Sequence, residues 1–133
     1  MSKGSVIGTG IDLVENKRMQ EMLGKWDGKF KDRVFLKTEQ KYCESKANPY
    51  HHYAGRFAVK EAVSKAFGTG LGPHIGFLDI EVVRNKKTGA PSVKLGKNAA
   101  RLIKKHKVSE ILVSLSHTRQ YAVAHALIIG GRK

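Results

Sequence analysis

Apolar and polar residues alternate near the start of the chain and again near its end, with a longer helical pattern between them. Ile7, Ile11 and Leu13 share one face of a predicted strand over residues 6–14, and Asp12 projects from the opposite face beside two glycines. Because glycine has no side chain, we expect open space beside the Asp12 carboxylate. Apolar residues at helical spacing predict the main helix over residues 51–67, which Gly68 is expected to end.

The rest of the pattern predicts an α+β fold for residues 1–133 as a single domain. Further helices are expected over residues 15–24, 39–45 and 97–107, and further strands over residues 77–84, 92–95, 110–117 and 121–129. Thr38 is the expected N-cap of the 39–45 helix. Hairpins with helices between them favour a largely antiparallel sheet packed with helices.

The net charge of +14 restricts the classes of binding partner. So basic a chain favours a polyanion: nucleic acid, anionic lipid, an acidic protein or a polyphosphate ligand. Cys43 is the only cysteine, so no internal disulfide forms, which fits a reducing cytoplasm. We expect no signal peptide, because the apolar run at residues 6–10 is short, is broken by glycine and is followed by Asp12 and Glu15. We expect no membrane insertion, because no stretch approaches ~18 apolar residues.

Two pairs of charged residues are candidates for chemistry, and each also has a purely structural explanation. Asp12 with Arg18, taken alone, is better explained by an aspartate that caps the following helix and an exposed helix arginine. Glu61 and Lys65 are four residues apart on the main helix, so they form either an exposed ion pair or a metal-binding carboxylate beside a phosphate-binding cation. Three further polar residues are expected near that face: Arg56, Lys60 and Ser64. Carboxylates from Asp12 and Glu61 suit Mg²⁺ completed by water and phosphates.

Other candidate sites are weaker. Gly68, Thr69 and Gly70 follow a helix, whereas a phosphate loop precedes one, so their backbone can at most approach a flat ligand such as adenine. His117 and the serine before it point to opposite faces of a strand and do not form a nucleophile and its base. The histidines at positions 51–52 and one cysteine lack the spacing of a zinc site.

Three sequence motifs occur together in a fixed order. The first is Gly10-Ile11-Asp12 followed by Arg18, the second is RFAVKEAVSKAFGTG at residues 56–70, and the third is SLSHTRQYA at residues 114–122. Together they resemble the holo-acyl-carrier-protein synthase family of 4′-phosphopantetheinyl transferases. The resemblance covers about residues 6–129, and all fixed positions of the long helix motif are present.

The resemblance implies the fold of that family, with one long central helix. It implies Mg²⁺-dependent transfer of the 4′-phosphopantetheine group of coenzyme A to a serine of an acidic acyl carrier protein, in fatty acid biosynthesis. Adenosine 3′,5′-bisphosphate would be the second product. It also implies a homotrimer whose active sites are shared between neighbouring subunits.

The resemblance also implies roles for individual residues. Asp12 and Glu61 would bind Mg²⁺, and Lys65 would contact the diphosphate of coenzyme A. Four residues are therefore expected to be catalytic: Asp12, Glu61, Lys65 and His117. Coenzyme A would also be held by Arg56 at the 3′-phosphate, by His117 nearby, and by the backbone of Gly68, Thr69 and Gly70. Arg18 would meet the carrier protein.

Two other functions compete with this one. A nucleic-acid-binding module would use the basic surface and residues 97–107, but aromatic residues make up only 8% of the chain and no nucleic-acid-binding motif is present. A protein with the same scaffold and no activity is disfavoured by the presence of Asp12, Glu61 and Lys65. We therefore expect coenzyme A and a carrier protein as partners, and no nucleic acid.

Overall fold

The computed structural model describes residues 4–131 and, of Trp26, the backbone alone. Residues 1–3 and 132–133, which the single-domain prediction includes, lie outside the described residues. The helices are α1 Asn16–Leu23, α2 Lys29–Val34, α3 Lys37–Glu44, α4 Pro49–Ala66 and α5 Ala100–Lys105. The strands are β1 Ser5–Glu15, β2 Ile80–Arg84, β3 Pro91–Leu95, β4 Val108–His117 and β5 Tyr121–Gly130. In this part of the chain every helix is too short or too polar to cross a bilayer.

Three strands form one sheet in the order β1-β5-β4, and β2 pairs with β3 in a separate hairpin. Every pairing is antiparallel, as predicted. The long helix α4 packs across one face of the three-stranded sheet, where alanines of β5 are fully or almost fully buried. Small side chains on β5 let a helix lie close to the middle strand.

Two glycines of β1 allow α4 to lie directly against that strand. A Cβ atom at Gly8 would overlap the backbone oxygen of Ala66, and one at Gly10 would overlap that of Ala62. These glycines therefore leave no open space themselves, because the helix backbone lies against them; the open space beside Asp12 is a cavity that β1 forms with α4. This close approach brings the outward-facing residues of α4 to the edge of β1.

The opposite face of the same sheet carries exposed apolar side chains, with the polar pair Thr9 and His125 among them. Ile11 and Leu13 of β1 are 61% and 62% exposed, and Leu112 of β4 is 45% exposed. Exposed apolar patches of this kind commonly mark contacts with another protein chain. The predicted face of Ile7, Ile11 and Leu13 thus exists, but α4 covers the face that carries the glycines and Asp12.

Several element boundaries differ from prediction. The third helix starts at Lys37, so Thr38 is not its N-cap; its hydroxyl donates to Glu81 Oε2 at 2.9 Å. The N-cap residue is Leu36, and its backbone N–H donates to Glu39 Oε1 at 2.8 Å. The long helix starts at Pro49, a residue whose ring favours the first helical turn.

One helix is additional, and two predicted elements change in extent. The segment at residues 25–37 contains the additional helix α2, and the strand expected from residue 77 starts at Ile80 after a 3₁₀ turn, Phe77–Asp79. The basic helix expected over residues 97–107 is α5 preceded by a 3₁₀ turn, Lys97–Ala99. It ends early because Lys107 has a φ of 52°, outside the helical region.

Lys60 does not lie near the face of Glu61 and Lys65, contrary to expectation. Its side chain is fully buried, and Nζ donates to Glu39 Oε1 at 2.7 Å. The same ammonium donates to the backbone oxygens of Val34 and Phe77 at 2.8 and 3.0 Å. Lys60 therefore joins α4 to α2, α3 and the turn before β2. Ser64 is also buried and donates to the Glu61 backbone oxygen at 2.8 Å.

Candidate active site

Asp12 and Glu61 line one cavity of about 280 Å³. Asp12 reaches it from β1, and Glu61 reaches it from α4, which the glycines of β1 hold close. The other walls of this carboxylate cavity come from Leu13, Val14, Glu15, Arg18, Met22 and Phe57. The structure thus brings together the two carboxylates that the sequence paired.

Lys65 lies one helical turn after Glu61 and pairs with Asp12. Its Nζ donates to Asp12 Oδ1 at 3.0 Å and to the backbone oxygen of Ile11 at 3.1 Å. Burial, followed by the negative charge of Asp12, raises the pKa of Glu61, and Lys65 offsets this only in part. The Lys65 side chain is half exposed, so its ammonium remains accessible to a ligand.

The donor atoms of the carboxylate cavity fit a hard divalent cation. Two carboxylates that repel each other in a partly buried cavity are stabilised by a cation between them. Within residues 4–131, no three histidine, cysteine, aspartate or glutamate side chains come together as a metal site. A cation here would therefore be held by Asp12 and Glu61, with waters and ligand phosphates as its remaining ligands, as is common for Mg²⁺.

Arg18 lies at the junction of two depressions. It lines the carboxylate cavity, and it also lines a neighbouring depression of about 500 Å³ on the exposed side of α1, together with Lys25 and Phe30. The predicted partner-binding residue is therefore adjacent to the two carboxylates. A protein bound over α1 would have access to the carboxylate cavity.

Arg56 and His117 line a second cavity, of about 230 Å³, at the opposite edge of the sheet. Its polar lining consists of Tyr42, His52, Arg56, Arg84 and His117, and we name it the histidine–arginine cavity. The His117 ring packs against Gly55 of α4, where a Cβ would lie 2.7 Å from His117 Cε1. Burial, then the nearby His51 and Arg56, lowers the pKa of His117.

Arg56 is held rigidly in this cavity. Its guanidinium carbon lies 4.1 Å from the centroid of the Tyr42 ring, and the residue is 6% exposed. Its Nε has no hydrogen-bond partner among the described residues. A buried donor without a partner costs about 1–3 kcal/mol, so this group is suited to an acceptor supplied by a ligand.

One chain does not bring all the predicted site residues together. The register aligns Asp12 with Ala124 and Leu115, so Asp12 and His117 lie on opposite edges of a three-stranded sheet, about 10 Å apart across the strands. Helix α4 lies between them on the same face. Arg56 was expected near Glu61, but five helical residues rotate a side chain by about 140°, which turns Arg56 to the other side.

The glycine-rich segment lies beyond both cavities. Gly68 and Gly70 have φ values of 81° and 64°, which favour glycine, and they follow the end of α4. Gly68 N donates to Lys65 O at 2.9 Å, so the segment begins one turn after Lys65. Neither of these glycines nor Thr69 is among the residues that line the two cavities.

The chain is similar to known proteins over most of its length. A model of the 4′-phosphopantetheinyl transferase superfamily matches residues 8–126. A holo-[acyl-carrier-protein] synthase of Halothermothrix orenii is 44% identical over 88% of this chain and 92% of its own length. The chain belongs to the holo-[acyl-carrier-protein] synthase family of 4′-phosphopantetheinyl transferases.

Solved structures of this synthase family have the same fold. The chain superposes on a holo-[acyl-carrier-protein] synthase of Neisseria meningitidis with a TM-score of 0.85 at 26% identity, covering 93% of this chain and 98% of that one. For a synthase of Bacillus anthracis in complex with CoA (3′,5′-ADP), the TM-score is 0.77 at 31% identity, covering 94% and 97%. The predictions of an α+β fold, of the family and of an enzyme are confirmed.

Sequence reasoning missed three side chains that line the histidine–arginine cavity of this synthase-family chain. Tyr42 lies under Arg56, Arg84 comes from β2, and His52 lies one turn before Arg56 on α4. His52 was considered only as a zinc ligand. Its spacing of four residues from Arg56 was the available signal, because residues so spaced share a helix face.

Proposed function

We propose that this chain transfers the 4′-phosphopantetheine group of coenzyme A to a serine of an acyl carrier protein and requires Mg²⁺. The placement of Asp12 and Glu61 in one cavity, with Lys65 bonded to Asp12, carries the proposal. The chain's family supplies the reaction class, and coenzyme A is bound in the related Bacillus anthracis structure. The net charge of +14 favours both an anionic nucleotide and an acidic carrier protein.

In the proposed reaction, a serine oxygen forms a bond to the β-phosphorus of coenzyme A, and the bond from that phosphorus to the bridging oxygen breaks to release 3′,5′-ADP. Bound Mg²⁺ supplies charge neutralisation at the diphosphate. Lys65 adds positive charge near the leaving group. The serine proton passes through a water to Glu61 or Asp12.

The nucleotide end of coenzyme A is assigned to the histidine–arginine cavity. Arg56 and His117 supply positive or hydrogen-bonding groups for a 3′-phosphate, and the unpaired Arg56 Nε needs an acceptor. Because α4 separates this cavity from the carboxylate cavity in one chain, we infer that coenzyme A spans two neighbouring copies. The backbone of Gly68, Thr69 and Gly70 begins one turn after Lys65, the residue proposed to contact the diphosphate.

The exposed apolar face of the three-stranded sheet supports such an assembly. Ile11, Leu13 and Leu112 lie on it and would be covered by neighbouring copies. In a homotrimer each copy contacts the next around a three-fold axis, so the ring is closed and this face is covered in every copy. Each site would then combine the carboxylates of one copy with the histidine–arginine cavity of the next.

Ile11→Glu is expected to convert the assembly into monomers and to remove transferase activity. A carboxylate among these apolar side chains opposes association, since it would lose its hydration at the contact. Sedimentation velocity and the transfer assay measure the two effects. Leu78→Glu is the matched control, because Leu78 is 45% exposed but lies outside the sheet. An Ile11→Glu trimer, or a fully active monomer, would disprove the shared site.

Arg18→Ala is expected to raise the KM for the carrier protein by about tenfold or more and to leave the KM for coenzyme A unchanged. The expected loss is that of one charge-assisted hydrogen bond to an acidic surface. Initial rates measured with each substrate varied in turn separate the two constants. An unchanged KM for the carrier protein would remove Arg18 from the docking surface.

One experiment tests the function as a whole. An apo acyl carrier protein is incubated with this chain, coenzyme A and Mg²⁺, and its mass is measured. The expected result is a gain of one phosphopantetheine group, released 3′,5′-ADP, and loss of both when EDTA replaces Mg²⁺. A carrier protein of unchanged mass would refute the proposed transfer, and full transfer in EDTA would refute the metal requirement.

A further inference from the structure

The histidine–arginine cavity contains a basic side chain to which the proposed function gives no role. His52 lies one turn before Arg56 and lines the same cavity. Its ring centroid is 5.7 Å from that of Tyr42, at an interplanar angle of 79°, and 6.1 Å from that of His117. Two imidazoles and two guanidinium groups thus line one cavity, and among the described residues no carboxylate does.

We propose that His52 is a further phosphate-contacting residue that binds the nucleotide as an imidazolium, so that nucleotide binding takes up a proton. This inference rests on the proposed function, since the phosphate is the 3′-phosphate of coenzyme A or 3′,5′-ADP. The unpaired Nε of the buried Arg56 points independently to an anion in this cavity. His52 shares the cavity and the helix face with that guanidinium.

The surroundings of His52 keep it neutral in the free chain. Burial, followed by the charge of Arg56, lowers the pKa of His52 to about 4, and His117, Lys46 and His51 act in the same direction. Tyr42 faces it from α3, and Arg84 lines the cavity from β2. Each packed element therefore presents a basic or neutral group, so the cavity has positive potential before the ligand binds.

A phosphate dianion reverses this balance. Its negative charge favours the protonated imidazole, so the pKa of His52 is higher in the complex than in the free chain. Between those two pKa values the complex holds more protons than its free components. Affinity therefore rises as pH falls through this window, by up to about tenfold per pH unit for one histidine. Work above pH ~6.5 keeps the ligand phosphate mostly dianionic.

Calorimetric titration of the full chain with 3′,5′-ADP measures the proton uptake. Binding enthalpies are compared in HEPES and Tris at pH 7.4, because these buffers differ in ionisation enthalpy, and affinities are compared at pH 6.5 and 8.5. His52→Gln is expected to lower the proton uptake and to bind about three- to tenfold more weakly at pH 6.5, with wild-type affinity at pH 8.5. His74→Gln, which carries the same change in a different cavity, is expected to match the wild type.

A second measurement uses the wild-type chain and so does not require the His52→Gln variant to fold. In the wild-type chain, the His52 Cε1–H NMR signal is expected to move toward the imidazolium position when 3′,5′-ADP is added at pH 7. A His52 signal that stays neutral, or a folded His52→Gln variant with unchanged uptake and affinity, would overturn this inference alone. A wild-type chain that does not bind 3′,5′-ADP would overturn the proposed function as well.

Discussion

Glu61→Gln is expected to abolish phosphopantetheine transfer and, without Mg²⁺, to stabilise the folded chain near neutral pH. Activity falls because the variant lacks one of the two carboxylates proposed to hold the ion. Charge stabilisation by a metal is worth several kcal/mol, so the rate should fall by at least about a hundredfold. Asp12→Asn is expected to lose activity to a similar extent, without unfolding.

The gain in stability follows from the direction of the Glu61 shift. Burial and the nearby Asp12 raise the pKa of Glu61 above its ordinary value of 4.5. Above pH 4.5 the folded chain therefore binds more protons at this site than the unfolded chain, so the stability contribution of Glu61 falls as pH rises. Above the folded-state pKa, the full cost of ionising Glu61 is present. A neutral amide does not carry this cost.

Thermal unfolding of both proteins in EDTA, between pH 4.5 and 8, measures this difference. At pH 7.5 the variant should unfold at the higher temperature, and the difference should shrink toward pH 4.5. Added Mg²⁺ should stabilise the wild type more than Glu61→Gln. Glu21→Gln removes an exposed carboxylate on α1 and should not change the unfolding temperature. A variant that retains full activity would refute the metal assignment, and one that unfolds earlier at pH 7.5 would refute the electrostatic explanation.

The pairing of Asp12 with Glu61 could be predicted from the motifs, but the reason for their proximity could not. Glycines beside a strand carboxylate predict open space. In the structure the same glycines admit the backbone of α4, since Gly8 and Gly10 lie against Ala66 and Ala62. A pattern along one chain indicates that a position is small, but it does not indicate which element fills the space.

The period-two pattern of β1 predicts the strand and its two faces. Hydrophobicity alone, however, would place the wrong face of β1 in the core. Ile11 and Leu13 are exposed, whereas α4 covers the face with Asp12 and the glycines. Helix α4 packs on the face with small residues because its backbone can approach β1 closely only there. The exposed apolar side chains of β1 are proposed to contact another copy. The hydrophobic pattern of one chain does not reveal such a contact between copies.

The helical pattern of α4 predicts which of its own side chains are neighbours, but it does not predict their contacts with other elements. Four-residue spacing placed Glu61 and Lys65 side by side, as expected. The contacts of the Arg56 and Lys60 side chains depend on α3, β2 and β4. The positions of these elements around α4 are set by tertiary packing. Glu39 contacts Lys60 across 21 residues of sequence, a separation at which helical periodicity carries no information.

Lys60→Met is expected to lower the free energy of unfolding by about 3–5 kcal/mol, the cost of leaving one partner of a buried ion pair alone. The side chains of Lys60 and Glu39 are both 0% exposed. Burial lowers the pKa of Lys60, and Glu39 opposes that shift, so each charge depends on the other. Urea denaturation at one fixed protein concentration measures the loss, because unfolding of an assembly depends on concentration.

The double variant Lys60→Met with Glu39→Gln distinguishes the lost charge from lost packing. Glu39 also accepts from Leu36 N through Oε1 and from Val82 N through Oε2, each at 2.8 Å, so a glutamine with its single oxygen keeps one of these two bonds and carries no charge. The double variant should therefore recover part of the stability that Lys60→Met loses. Lys37→Met, which breaks the exposed pair with Asp32, should stay close to the wild type. If the double variant is no more stable than Lys60→Met, the loss comes from packing and from the unpaired backbone oxygens, and the charge of Glu39 is not its cause.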